Sequence, residues 1–93
     1  MTLPLLVLPL KSCYFDDIAA DIKPEEFRLD TEYWRKRLIG KEFSGILLTK
    51  GYPKADDQSR RMLRPWRGYV MRTIQHPHFG PDPVRVFAID VRK

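Results

Sequence analysis

Three side chains in the stretch Asp21–Leu29, DIKPEEFRL, are spaced to do chemistry together. Lys23, Glu26 and Arg28 put an ammonium, a carboxylate and a guanidinium on one short segment. The second half of the segment reads as a strand. Side chains alternate along a strand, so Phe27 and Leu29 share one face and Glu26 and Arg28 share the other. The expectation is that the apolar face is buried and the polar face is presented at a cleft. Such a site would contact an anion, hold a carbonyl oxygen or move a proton.

The three roles open to Lys23 differ in cost. A free lysine, with a pKa of about 10.4, is more than ~99 % charged at neutral pH. To serve as a base its pKa would have to fall to about 7, which costs roughly 4 kcal/mol. Burial or nearby cations do this, but Glu25 and Glu26 oppose it. A fixed cation for a phosphate or carbonyl oxygen is the preferred role, with a base and a plain surface ion pair as the alternatives. Glu26 is suited to accept a base's exocyclic amine, to position a water or to neutralise Arg28. Arg28, with its planar donors, is the best phosphate contact of the three.

Two further constellations carry binding chemistry. Lys50, Gly51 and Tyr52 end a strand, where a base could stack on the tyrosine; a turn glycine beside a core tyrosine is the plainer alternative. Arg60, Arg61, Arg64, Trp66 and Arg67 interleave cations with an aromatic ring, as an RNA-backbone contact zone would, or as a solvated loop would. His76 and His78 form an H-P-H pair with no cysteine or carboxylate at short spacing, so no metal site is expected. No Gly-rich phosphate loop or Ser-His-Asp spacing is visible, and no cofactor is expected. Cys13 is the one cysteine. It excludes an intramolecular disulfide and is expected to be a half-buried structural thiol.

Composition bounds the rest. Ninety-three residues make one domain with a small core. The net charge is +5, from ten arginines and seven lysines against twelve acids. Arginine in excess of lysine points to anion contacts, with a nucleic acid or nucleotide as the first partner to consider. No segment reaches the ~18 apolar residues of a membrane span. The run LPLLVLPL is expected to be a first strand and not a signal peptide, since no basic residue precedes it and prolines interrupt it. The expectation is a cytoplasmic monomer.

The elements that position these residues follow from pattern. Leu5–Leu8 is a strand between Pro4 and Pro9, apolar on both faces and so internal or covered on one side. Ser12 caps a helix from Cys13 to about Ala20, with a stripe of Phe15, Ile18, Ala19 and Ile22. Glu25–Leu29 is the second strand. Asp30 and Thr31 cap a second helix from Glu32 to about Ile39, closed by Gly40 in the left-handed conformation, with Trp34 and Leu38 inward. Phe43–Thr49 is a third strand, in which Gly45 marks a bulge or a close backbone approach. Lys54–Arg61 is a mobile polar loop, Gly68–Gln75 the fourth strand, His76–Pro83 a loop and Val84–Val91 the last strand. This order is mainly β, of the α+β class: five short strands in a strongly bent sheet or barrel.

An apolar first strand, a helix carrying YFDDI, then KPEEFR, YWRKRLIGKEF, GILLTKGY and VFAIDV resemble the ASCH domain family, in the manner of its small single-domain bacterial and phage members. The resemblance covers nearly the whole chain. Its specific part is the K-x-x-E-x-R element, here Lys23, Glu26 and Arg28. It implies a PUA-like, five-stranded mixed β-barrel with two short helices, and a role in RNA or nucleotide binding. Some members hydrolyse nucleic acid, and one branch removes the acetyl group of N4-acetylcytidine compounds. By that analogy Lys23 and Glu26 would be catalytic if the chain is a hydrolase, a ribonuclease or an amidohydrolase. The chain departs from the family at three points. Asp21 stands where the family usually has glycine, and Glu26 stands where the deacetylating branch has threonine. The later glutamate of that branch has no counterpart beyond Glu42. A phage or bacterial protein-binding accessory factor is the third possibility.

Overall fold

A computed structural model describes residues 2–93. Six strands and two helices run in the order β1 (Leu5–Leu10), α1 (Ser12–Ala19), β2 (Glu25–Leu29), α2 (Glu32–Leu38), β3 (Gly45–Lys50), β4 (Arg61–Arg64), β5 (Tyr69–Ile74) and β6 (Val84–Asp90). Short 3-10 turns cover Gln58–Arg60 and Pro77–Phe79. The α+β class is as expected, but the strands form two three-stranded sheets, β1-β3-β4 and β2-β6-β5, and no closed barrel forms among the described residues. Strands β1 and β3 are parallel, and every other pair is antiparallel.

The expected five strands become six because β4 forms where a loop and its return were expected. Its polarity hid it. Met62 packs against the core, while Arg61 and Arg64 donate their guanidinium hydrogens to backbone carbonyls of Pro53, Lys54, Asp57 and Val91. Strand β1 runs on through Pro9 to Leu10 and lies at a sheet edge. A proline is tolerated there because an edge strand leaves one row of N–H groups unpaired. Leu6, Leu8 and Leu10 are buried while Leu5 and Val7 stay exposed, so the strand is covered on one side, one of the two arrangements expected.

Helix α1 starts at Ser12, with Lys11 at the cap position and no side-chain cap bond, so Ser12 is not the cap. Phe15 and Ile18 enter the core. The helix ends too early to carry Ile22, which is 71 % exposed, and Cys13 is exposed instead of half-buried. Helix α2 behaves as its signals require. The Thr31 hydroxyl accepts from the Trp34 N–H at 3.3 Å, and Gly40 closes the helix at φ +71°. Gly45 makes the close approach expected of it: a Cβ there would lie 3.2 Å from the Arg64 carbonyl oxygen.

The core joins both sheets: Leu6, Leu8, Ile46 and Leu48 from the first, Phe87 and Ile89 from the second, and Phe15, Ile18 and Leu38 from the helices. Strand β6 is central and buried on both faces, with Val86 and Ala88 opposite Phe87 and Ile89. Among the described residues, no helix is long and apolar enough to cross a membrane.

Arginine–carboxylate pairs tie the surface. Asp30 is pulled below its ordinary pKa, chiefly by its hydrogen bonds from Arg35, and Asp90 likewise by Arg92. A carboxylate with a lowered folded pKa makes the unfolded chain the stronger proton binder in acid, so stability rises with pH. The contribution is complete above the ordinary carboxylate pKa of about 4 and is lost as pH falls through the lowered folded values. Thermal unfolding should therefore give a Tm that is level from pH 7 to about 5 and falls below about 4, and Asp30→Asn should remove part of that fall.

Candidate functional site

The register of β2 against β6 decides where the charge goes. Glu26 pairs with Ile89 and Arg28 with Phe87. Antiparallel partners point to the same side of a sheet, and Phe87 and Ile89 point into the core. The polar face of β2 is therefore its inner face, the reverse of the expected orientation. Glu26 is only 5 % exposed, while Phe27 and Leu29 are half-buried.

Lys23 reaches the same place by a turn. After α1, the N–H groups of Ile22 and Lys23 both donate to the Asp17 carbonyl, at 2.8 and 3.2 Å. Asp21 makes this possible by taking φ +60°, the left-handed region that glycine favours. Lys23 Nζ then lies 3.5 Å from Glu26 Oε1, and Arg28 Nη2 lies 3.2 Å from Glu26 Oε2.

These three residues line a cavity of about 360 Å³. Its walls are aromatic: Tyr14 from α1, Phe27 from β2, Trp34 from α2 and Phe79 from the 3-10 turn. Lys23 Nζ sits 4.4 Å from the Phe27 ring centre and 5.3 Å from that of Tyr14. The Arg28 guanidinium lies 5.3 Å from the Trp34 ring centre. His76 and His78 complete the wall, each with its ring 6.0 Å from Tyr14, and His76 Nδ1 accepts the His78 N–H at 3.1 Å.

Arg28 also joins the two sheets. Its Nη2 donates to the Pro9 carbonyl of β1 at 3.0 Å, and its Nε is buried without a partner. Burial lowers the guanidinium pKa, and Glu26 and Tyr52 oppose that. Burial raises the Tyr14 phenol, with Cys13 and Glu26 adding to the effect. Glu26 faces two cations yet accepts no hydrogen bond among the described residues. Its carboxylate lies between the two cations, and it has more lone-pair sites than these two contacts use.

No family model matches the chain, and no curated protein or solved structure matches it either. The arrangement of side chains is what speaks for a function.

The other candidate residues fall elsewhere. Lys50 and Tyr52 line a second cavity that shares Leu10 and Lys11 with the first. Arg61 and Arg64 hold backbone carbonyls, Arg67 holds those of Arg92 and Lys93, and Trp66 packs edge-on against Phe43. None of these four lines either cavity. The residues that sequence reasoning missed at the site are the aromatic walls and the histidines. The clue was available in H-P-H-F, where two imidazoles and a ring crowd one short turn. No group of three metal-ligating side chains comes together among the described residues.

Asp21 and Glu26 give two tests. Asp21→Gly should raise the Tm by about 2–5 °C by removing left-handed strain, and Asp21→Ala should lower it. The exposed Asp21–Lys93 pair, at 3.5 Å, contributes little either way. Glu26→Ala leaves two cations facing each other and should cost about 1–3 kcal/mol in denaturant unfolding, less than for a fully buried triad because Lys23 and Arg28 keep some solvent.

Proposed function

We propose that the chain is an RNA- or nucleotide-binding domain of the ASCH type, and that a base enters the aromatic cavity beside Glu26. In this reading the two sheets, bridged by Arg28 over one core, stand as the halves of a PUA-like barrel. The observation that carries the reading is the open carboxylate of Glu26. A buried acceptor flanked by two donors, with aromatic rings around it, matches the edge of a nucleobase: an exocyclic or ring N–H to Glu26, a carbonyl oxygen to Arg28 or Lys23. The cavity volume of about 360 Å³ is at the lower end of the range for small-molecule sites. The left-handed Asp21 adds support, because it stands where the family pattern carries glycine.

Lys23 serves here as a fixed cation. Its partners are one carboxylate and two ring faces, and both kinds attract a cation. That argues for binding over base catalysis. The hydrolase reading has one observation of its own. His76 and His78 bring imidazoles, the usual proton carriers near neutral pH, to the cavity that holds Lys23.

Calorimetric titration with cytidine and adenosine monophosphates and with mixed single-stranded RNA tests the binding. Affinity for RNA should fall roughly 5–10-fold between 50 and 200 mM salt, as two phosphate contacts would give. Lys23→Ala should lower it about tenfold while leaving the fold intact. No binding at low salt would overturn the proposal. Incubation with N4-acylated cytidines and RNA, read by mass spectrometry, separates the second reading. Product from the wild type but not from Lys23→Ala would make the chain an enzyme.

A further inference from the structure

The second cavity adjoins the first at Leu10 and Lys11, which line both. It measures about 610 Å³ and is edged by Lys50, Tyr52, Lys54 and Arg60. Lys50 is paired with Asp16 at 2.8 Å and Arg60 with Asp57 at 3.2 Å. Lys11 and Lys54 have no carboxylate partner among the described residues, so this cavity keeps an excess of positive charge beside the first.

Its walls are built. The turn carrying Tyr52 is tied at both sides: Gly51 N–H donates to the Leu10 carbonyl at 2.8 Å, and the Thr49 hydroxyl donates to the Gly51 carbonyl at 2.8 Å. Arg61 holds the far wall, donating to the carbonyls of Lys54 at 2.8 Å and Asp57 at 2.7 Å. On this held turn Tyr52 is 92 % exposed. A large ring kept in water by a pinned backbone, next to unpaired ammonium groups, is a stacking platform with phosphate contacts beside it.

We propose that this second cavity takes the adjoining nucleotide of a single strand whose base occupies the first, so that the ligand is an oligonucleotide and not a free nucleoside. The assignment rests on the nucleotide-binding reading of the first cavity. Lys11, common to both, sits where the linking phosphate passes. Lys54 meets the next phosphate, and Tyr52 stacks on the second base. Stacking tolerates any base, so the second cavity adds affinity and selects chain length, while Glu26 and Arg28 select the base.

The test compares nucleoside monophosphates with mixed-sequence RNA hexamers by fluorescence anisotropy and calorimetry, using wild type, Tyr52→Ala and Lys54→Ala. The hexamer should bind at least about tenfold tighter than the monophosphate. Tyr52→Ala should remove about tenfold of hexamer affinity and change the monophosphate less than about twofold. Lys54→Ala should make the hexamer's dependence on salt shallower. Equal affinity for hexamer and monophosphate, or variants that weaken neither or both alike, would overturn the second cavity and leave the first standing. Failure of both ligands to bind would overturn the first reading and this one with it. A glutamate hexamer bound as tightly as RNA would make the partner an acidic peptide and overturn the assignment.

Discussion

The pairing of β2 with β6 is the constraint on which the rest depends. Opposite Ile89 and Phe87, Glu26 and Arg28 have to face inward. A slip of one residue would turn Phe27 and Leu29 to the core and put the charges in water. Charge brought out of water is costly unless it is paired. Here a carboxylate lies between two cations, so each charge has a partner, and the aromatic rings of Phe27, Tyr14 and Trp34 supply negative faces to the cations. One positive charge remains in excess beside the cavity.

The surrounding elements serve that arrangement. Helix α1 brings Tyr14 and ends in the turn that lays Lys23 against Glu26. Helix α2, capped by Thr31, brings Trp34 over Arg28. Strand β1 lies at a sheet edge and offers its Pro9 carbonyl to Arg28. The turn after β5 closes the wall with His76, His78 and Phe79. Arg61 and Arg64 of β4 hold carbonyls and so make a polar stretch into a formed strand beside the second cavity. Their value lies in shape more than in free charge.

Much of this was legible in the sequence. The helix signals at Thr31 and Gly40 were local, and local signals survive folding. The clustering of Lys23, Glu26 and Arg28 was legible because the three residues are neighbours in the chain. The direction they face was not, because alternation says which residues share a side but not which side is buried; only pairing with β6 decides that. Strand β4 was missed because its arginines read as solvent-facing until their distant carbonyl partners are known. Tyr14, Trp34 and the histidines reach the cavity from separate elements, and no spacing rule links them. Asp21 stood out only as a departure from a resembling pattern. Its backbone is left-handed, which its residue type alone does not announce.

Nucleotide binding at Glu26 is tested directly by a map of backbone and side-chain NMR shifts as a nucleoside monophosphate and then a short RNA are titrated in. Saturable shifts are expected at Glu26, Arg28, the Trp34 indole and the His76 ring with the monophosphate, extending to Tyr52 and Lys54 with the RNA. Shifts centred on Arg64, Arg67 and Arg72, with the aromatic cavity unmoved, would contradict it.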